Sequence, residues 1–193
     1  MSALKKDLRK TFLQKRLELL PETAAMLNTR LLEQCKLLDY TGVQYLHIYL
    51  PIAGKLEIDT YAIVQWLKEM QPQIHLVISR SDLSNGHMLH YLWEGTTEIT
   101  ANRFGIPEPA GGQLIEPEQL DLIFVPLLAF DKNGHRVGYG KGMYDLFLRQ
   151  CRPAARKTGL SFFGPVPEIE DTYEGDITMD TVITPDHIFN FTK

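Results

Sequence analysis

The amino-acid sequence predicts a single α/β domain over residues 1–193, with helices on both faces of a mostly parallel, Rossmann-like central sheet. Strand-like and helix-like patterns alternate along the chain, and no repeat, low-complexity segment or linker divides it. Residues 121–130 are almost continuously apolar, as expected for a strand covered on both faces. A glycine-rich loop then leads into a helical pattern, which is how ligand sites form at the carboxyl edge of such sheets. Together these observations predict a three-layer α/β/α architecture.

The N-terminal half alternates between the two kinds of element. Leu4, Leu8, Phe12 and Leu17 recur at helical spacing, so the first helix is predicted over residues 2–20. The other predicted elements are a second helix after Pro21, a strand at residues 43–50, a helix capped by Asp59 or Thr60, and strands at residues 75–79 and 88–93.

The C-terminal half is organised around one long hydrophobic strand. Glycine and proline crowd residues 94–119, which are predicted to form loops before the strand at residues 121–130. The helix after the glycine-rich loop is expected to begin near Gly142 and to end around Cys151. Later strands are predicted at residues 158–163 and 181–184.

Composition argues against several classes of protein. Hydrophobic residues make up 44% of the chain, enough to bury a real core, and the net charge of −4 disfavours general binding to nucleic acid or anionic lipid. No segment has the roughly 20 apolar residues of a membrane helix, and the N-terminus lacks the apolar stretch of a signal peptide. Cys35 and Cys151 give neither a disulfide framework nor a metal-ligand spacing. We expect a cytoplasmic monomer without membrane or nucleic-acid partners.

The glycine-rich loop carries the main functional signal. Gly138, Gly140 and Gly142 leave the main chain uncovered, so its N–H groups can approach a phosphate beside the positive end of the next helix. Arg136 and Lys141 add cationic charge to the loop and are expected to face solvent. The pattern is neither a P-loop nor a dinucleotide fingerprint, because it lacks their spacing of glycines. On this pattern alone, a phosphate site and a purely structural turn both remain open.

The first predicted helix is basic although the whole chain is acidic. Residues 5–16 hold six Lys and Arg side chains and a single acid, Asp7. Lys5 and Arg9 are four residues apart, so a helix places both on one face. Such a face is compatible with a solvated surface and with a site for an anion.

Four segments, in the right order, resemble the 5-formyltetrahydrofolate cyclo-ligase family. The most specific of them combines a hydrophobic strand ending in Phe-Asp, a glycine-rich loop with embedded Arg and Lys, and a following Tyr-Asp pair. The resemblance is carried by residues 5–9, 57–60, 104–109 and 121–151. It implies an ATP-dependent ligase that closes 5-formyltetrahydrofolate to 5,10-methenyltetrahydrofolate with release of ADP and phosphate. ATP, Mg²⁺ and the folate are the implied co-substrate, cofactor and substrate.

The resemblance also implies roles for individual residues. Arg136 and Lys141 become the catalytic cations, because transfer of the γ-phosphoryl group to the formyl oxygen demands charge neutralisation. ATP is expected to contact Lys5, Arg9, Arg136, Val137, Gly138, Tyr139, Gly140, Lys141, Gly142, Met143 and Tyr144. The folate is expected to contact Tyr49, Leu50, Glu57, Tyr139, Gly140, Lys141, Gly142 and Met143. Asp145 and Asp180 are the expected Mg²⁺ ligands.

Two places depart from the family pattern. Met143 stands where the family usually has tyrosine, which puts one aromatic contact to the folate in doubt. Residues 173–176 lack the histidine of the Glu-x-His-Asp run found in many members, so a contact made by that side chain is expected to be missing.

Two other classes of protein fit parts of the sequence. Similar α/β folds bind sugar phosphates, so a phosphosugar isomerase or a ligand-sensing domain would explain the glycine-rich loop without ATP chemistry. A non-catalytic nucleic-acid-binding protein would explain the basic helix. The net charge and the lack of a recognised RNA or DNA module weigh against that second class.

Overall fold

The computed structural model describes residues 3–82 and 84–191. Its helices are α1 (Lys5–Leu17), α2 (Pro21–Lys36), α3 (Thr60–Met70) and α4 (Met143–Gln150), with a short 3₁₀ helix at Pro117–Gln119. Its strands are β1 (Tyr45–His47), β2 (His75–Asp82), β3 (His87–Leu92), β4 (Ile99–Ala101), β5 (Pro107–Pro109), β6 (Leu122–Pro126), β7 (Ala129–Phe130), β8 (Arg136–Val137), β9 (Arg156–Leu160), β10 (Thr181–Ile183) and β11 (Ile188–Asn190).

The main sheet has the strand order β11-β10-β9-β6-β1-β2-β3. Strand β1 pairs in parallel with β2 and with β6, and β9 pairs in parallel with β10. The outermost pairs, β2 with β3 and β10 with β11, are antiparallel. The predicted class, an α/β fold with a mostly parallel central sheet, is therefore confirmed.

The chain folds as two compact units. The first unit contains the described residues of 1–38, 125–141 and 157–193, and the second contains residues 39–124 and 142–156. A prediction of one domain over residues 1–193 remains a prediction, since compact units need not be independent domains.

In the first unit, α1 packs on the antiparallel pair β7–β8. Leu8 and Phe12 on one face of α1 are buried against Leu128, Ala129 and Val137, and Ile169 joins the same cluster. The spacing of Leu8 and Phe12 is the helical spacing that predicted α1. This apolar contact brings the basic residues of α1 to the glycine-rich loop that follows β8.

The second unit carries a row of polar side chains across three neighbouring strands, in which two histidines are buried and the serine between them is half-buried. His47 of β1, Ser79 of β2 and His90 of β3 are linked through the Ser79 hydroxyl, which lies 2.7 Å from His47 Nε2 and 2.9 Å from His90 Nδ1. Both imidazoles contact the ring of Phe147 on α4, with centroid distances of 5.0 and 4.1 Å. Helix α4 therefore packs on this polar row through Phe147.

Burial keeps both imidazoles neutral. Desolvation lowers the pKa of His47 well below its ordinary value, and the neighbouring His90 adds to the effect. Desolvation alone lowers the pKa of His90 to about 4. In the unfolded chain each imidazole takes up a proton near pH 6.5, whereas in the folded chain His90 does so only near pH 4. The free energy of unfolding therefore falls as the pH is lowered from about 6.5 towards 4.

Several predicted elements differ in extent from the observed ones. The single strand expected over residues 121–130 is two strands, β6 and β7, because Pro126 cannot donate a main-chain hydrogen bond to a neighbouring strand. The loops expected over residues 94–119 contain the small antiparallel pair β4–β5. Helix α1 is shorter than residues 2–20, and Ser2 lies outside the described residues. Strand β11 was not predicted.

Within the described ranges, no helix is both long and apolar enough to cross a bilayer. Cys35 is buried and Cys151 is half-buried, and neither forms a disulfide. The cytoplasmic location and the monomeric state stay predictions.

We expect the pH dependence of stability to depend on His90. His90→Asn keeps a group able to bond Ser79 but removes the titrating imidazole. In the unmodified chain, His90 should lower the free energy of unfolding, measured with urea, by about 2 kcal/mol between about pH 7.5 and about pH 5. The variant should be less stable at the higher pH and should lose less on acidification. Parallel stability losses in the two proteins would contradict the assignment.

Candidate active site

The glycine-rich loop begins at a buried carboxylate. Asp131 is fully buried, and its Oδ1 accepts hydrogen bonds from the main-chain N–H groups of Asn133 and His135 at 2.9 and 3.0 Å. Its Oδ2 accepts one from the N–H of Ile169 at 3.2 Å and lies 3.1 Å from His135 Nδ1. The carboxylate thus fixes the turn that starts the loop and joins it to residue 169. No role for Asp131 was predicted from the sequence.

Gly134, inside this turn, has no room for a side chain. Its φ is +81°, and an added Cβ would lie 2.9 Å from the Met179 carbonyl oxygen. The Gly134 carbonyl accepts a hydrogen bond from the Met179 N–H at 2.9 Å. The loop and the segment before Asp180 are therefore packed main chain to main chain.

Arg9 of α1 lies directly on the loop. Its Nε donates to the Gly138 carbonyl at 2.9 Å, and a Cβ added at Gly140 would lie 3.0 Å from its Cζ. Gly140 has a φ of +85°, which side chains with a Cβ rarely adopt. Because Gly140 has no side chain, the Arg9 guanidinium can lie directly against the main chain of the loop. The two predicted phosphate-binding features, the helix face and the loop, meet in this unit.

A second arginine of α1 holds the loop from the same helix. Arg16 is only 6% exposed and donates to the Tyr139 hydroxyl, with its Cζ 5.6 Å from the Tyr139 ring centroid. The sequence placed Arg16 in a basic segment, but gave it no contact. Its spacing of seven residues from Arg9, which returns it to the same helix face, is the signal that could have found it.

The two predicted catalytic cations have different surroundings. Lys141 is exposed at the end of the loop, as expected. Arg136 is half-buried in β8, and its guanidinium donates to the Ile177 carbonyl. Arg136 is therefore less exposed than Lys141. Its contact ties the loop to the segment that carries Asp176 and Asp180.

Lys5 is held by the same C-terminal segment. Its ammonium pairs with the Asp176 carboxylate and lies 4.9 Å from the Tyr173 ring centroid. Its main-chain N–H donates to Asp171 Oδ1 at 2.6 Å. Residues 173–176, the stretch that departs from the family pattern, therefore contact Lys5, which is predicted to bind a phosphate.

In the second unit, Glu57 closes a short loop. Its side chain is largely buried, and Oε2 accepts a hydrogen bond from the Ile52 N–H at 2.7 Å. The same loop contains Leu56 with a φ of +45°, a conformation that costs free energy for a residue with a Cβ. Tyr49 and Leu50, which precede the loop, are buried, and the Tyr49 carbonyl accepts from the Thr60 hydroxyl at 2.7 Å. Three of the predicted folate contacts, Tyr49, Leu50 and Glu57, therefore lie in one connected segment.

The remaining predicted residues of the second unit open helix α4. Gly142 is the N-cap residue with a φ of +69°, and Met143, Tyr144 and Asp145 form the first turn. The Tyr144 ring lies 6.0 Å from that of His47, so this turn is supported by the buried polar row. An acid in the first turn of a helix is favoured by the helix dipole.

Chemically, the first unit offers a basic, glycine-lined surface. Arg9, Arg16, Arg136 and Lys141 bring positive charge to the glycine-rich loop. Guanidinium groups and main-chain N–H groups are suited to phosphate oxygens.

Comparison with known proteins identifies the family. A model of the 5-formyltetrahydrofolate cyclo-ligase family matches residues 1–185. The chain belongs to this family. Relatives named 5-formyltetrahydrofolate cyclo-ligase include one from Escherichia coli K12, 26% identical over 162 residues, which cover 81% of this chain and 87% of the relative. Another, from Haemophilus influenzae, is 32% identical over 115 residues, which cover 58% and 60%.

Solved structures of cyclo-ligase relatives share the fold. The 5,10-methenyltetrahydrofolate synthetase of Aquifex aeolicus is 28% identical, matches with a TM-score of 0.80, and is covered to 94% by 99% of this chain. The synthetase of Mycoplasma pneumoniae, 24% identical with a TM-score of 0.72, shows the same fold over 94% of this chain and 98% of its own.

The predicted metal ligands of this cyclo-ligase family member lie in different units. Asp145 belongs to the second unit and Asp180 to the first. Asp180 Oδ2 accepts from the Lys157 N–H at 2.8 Å and lies 3.0 Å from Lys157 Nζ. Within residues 3–82 and 84–191, no group of three or more His, Cys, Asp or Glu side chains could hold a metal ion.

We expect Gly140→Ala to weaken both folding and ATP binding. The left-handed conformation should cost about 1–2 kcal/mol in unfolding free energy, and the new Cβ should displace the Arg9 guanidinium. Gly138→Ala is the matched control for stability, because its φ is not positive and nothing lies within 4 Å of an added Cβ. Urea unfolding and calorimetric titration with ATP measure the two effects. Equal stability of the two variants would refute the strained role of Gly140.

Proposed function

We propose that this enzyme uses phosphoryl transfer from ATP to close the imidazolinium ring of 5,10-methenyltetrahydrofolate from 5-formyltetrahydrofolate. The observation that carries the proposal is the Arg9 guanidinium seated on the Gly138–Gly140 main chain, within the loop that carries the family signature. Family membership supports the folate product, and the basic loop supports a phosphate-bearing co-substrate. Cytoplasmic action on these small molecules is part of the proposal.

The chemistry explains why a nucleotide is needed. The formyl group on N5 is an amide, so its carbon is a weak electrophile and its oxygen cannot leave as oxide. Transfer of the γ-phosphoryl group to that oxygen gives an imidate-like phosphate and ADP. N10 then attacks the formyl carbon and releases its proton to solvent or to the phosphate, and the C–O bond breaks with loss of inorganic phosphate. The formyl oxygen leaves in the phosphate, which balances the reaction.

ATP is assigned to the first unit. Arg9 can offer paired N–H groups to two phosphate oxygens, whereas Lys5 and Lys141 act as point charges. The main chain from Val137 to Gly140 supplies further donors. Arg136, bonded to the Ile177 carbonyl, acts by holding the loop as well as by its charge. Such a site would catalyse by positioning and charge neutralisation, without a covalent protein nucleophile.

The folate is assigned to the second unit, on the loop around Glu57. A carboxylate can accept hydrogen bonds from the amide-like N–H and amino groups of a pterin. Glu57 already accepts one from Ile52, which fixes the orientation of the carboxyl group. Tyr49, Leu50 and Met143 would supply apolar surface. The buried Tyr49 and Leu50 can do so only through the main chain or the edges of their side chains.

Mg²⁺ is assigned chiefly to ATP, with protein carboxylates in a minor role. When bound, the ion would neutralise phosphate charge. Asp180 lies in the unit assigned to ATP, where its carboxylate accepts from the main chain and the ammonium of Lys157. This arrangement suits Mg²⁺, which usually keeps water and takes one or two carboxylates beside phosphates.

The proposal is tested by mixing the protein with 5-formyltetrahydrofolate and MgATP and following the absorbance of the conjugated methenyl product. We expect product to form only with both substrates and to match the ADP released one to one. Product without ATP, or turnover of a sugar phosphate instead, would reject the proposed chemistry.

We expect Glu57→Gln to impair folate use and to spare ATP. The amide can still accept from Ile52, but it loses the charge and places a donor towards a pterin edge that also donates. A mismatched hydrogen bond costs about 1–3 kcal/mol, which corresponds to a rise of about 5- to 150-fold in KM for the folate. Steady-state kinetics with each substrate varied in turn measure it. A larger change in KM for ATP than for folate would show that the two sites are assigned wrongly.

A further inference from the structure

The surroundings of Lys5 are more elaborate than a solvated lysine on a helix needs. Its side chain is 16% exposed, and that of its partner Asp176 is 13% exposed. The ammonium faces the Tyr173 ring as well as the carboxylate. We propose that Asp176 and Tyr173 are positioning residues, which hold the Lys5 ammonium ready for a phosphate of ATP.

The two residues belong to one tight turn. The Asp176 N–H donates to the Tyr173 carbonyl at 2.9 Å, and the Tyr173 N–H donates to Asp176 Oδ2 at 3.0 Å. That carboxylate oxygen is the same atom that pairs with Lys5. The turn therefore fixes the carboxylate before Lys5 reaches it. The aromatic ring then restricts the ammonium from a second side.

The start of α1 is anchored to the same segment. The N-cap residue Leu4 has no polar side chain with which to cap the helix, and Asp171 accepts from the Lys5 N–H instead. Ala3 exchanges main-chain hydrogen bonds with Glu168 and Glu170. The backbone and the ammonium of Lys5 are thus both fixed by residues 168–176.

The number of N–H donors on the Lys5 ammonium indicates that Asp176 and Tyr173 position Lys5 and do not block it from a phosphate. An ammonium has three N–H donors. Asp176 accepts one and the Tyr173 face covers another direction, which leaves a donor for a phosphate oxygen. Arg9, one helical turn further along the same face, already lies on the glycine-rich loop. A lysine that is already ordered loses little side-chain entropy when the phosphate binds.

The hold on Lys5 is testable without nucleotide. Lys6 is exposed on the same turn of α1 and serves as an internal reference. Brief acetylation with N-hydroxysuccinimidyl acetate, resolved by residue with mass spectrometry, should modify Lys5 more slowly than Lys6. Asp176→Asn and Tyr173→Leu should raise the Lys5 rate alone, whereas Tyr173→Phe should keep it low. Equal rates at Lys5 in all four proteins would overturn the proposal.

The consequence for ATP rests on the proposed function and has its own control. Asp176→Asn should raise KM for ATP about three- to tenfold and leave KM for the folate unchanged. Glu174→Gln removes an equal charge from an exposed position of the same turn. If these carboxylates acted only by repelling ATP, removing either charge would make ATP bind more tightly. A fall in KM for ATP with Asp176→Asn would therefore overturn the positioning role.

A double substitution separates positioning from support of the fold. In a Lys5→Ala background, Asp176→Asn should have no further effect on KM for ATP. Additive effects, or equal losses for ATP and folate, would mean that Asp176 only supports the fold and would overturn the proposal. Absence of ATP turnover in the unmodified chain would reject the proposed function instead. The acetylation comparison would still decide whether Asp176 and Tyr173 hold Lys5.

Discussion

Asp131 is buried at the end of β7, where its two carboxylate oxygens meet the N–H groups of Asn133, His135 and Ile169. A buried carboxylate is tolerated only when its hydrogen bonds are satisfied, and each of these bonds fixes a different stretch of chain. The turn at Gly134, the hairpin that carries Arg136 and the segment that ends at Asp176 all take their positions from it. Asparagine, the uncharged side chain of the same size, has one acceptor oxygen for these three N–H groups, so at least one of them would lose its acceptor.

The cations of the first unit share one design. Arg9 is bonded to the Gly138 carbonyl, Arg136 to the Ile177 carbonyl and Lys5 to Asp176. Long basic side chains would otherwise lose much rotational freedom on meeting a phosphate. Here these side chains are already ordered in the folded protein, so their entropy is lost during folding and lowers the free energy of unfolding of the unit. This fits an enzyme whose proposed chemistry needs charge in the right place more than it needs a reactive side chain.

The sequence predicted the fold class and most elements because local patterns determine them. The spacing of Leu8 and Phe12 places α1, and the apolar run before the loop places β6. The interruption at Pro126 was visible in the sequence but was outweighed by that run. Contacts of the site were harder to predict. Arg16 reaches Tyr139 across 123 residues and Lys5 reaches Asp176 across 171, and no pattern in one sequence encodes such pairs. Resemblance to a family supplied the residue types of the site, but not the partners that hold them.

The distances along the chain between α1 and its partners bear on the order of folding. Arg9 and Gly138 are 129 residues apart, and Ile169 and Asp176 follow later still. On the ribosome, α1 emerges early with Leu8 and Phe12 exposed and with a basic face that has no acidic partner. Closing such long loops is slow, and exposed apolar faces are open to mispairing or to chaperones in the meantime. Helix α1 precedes all of these partners in the chain and can dock only after they have been made.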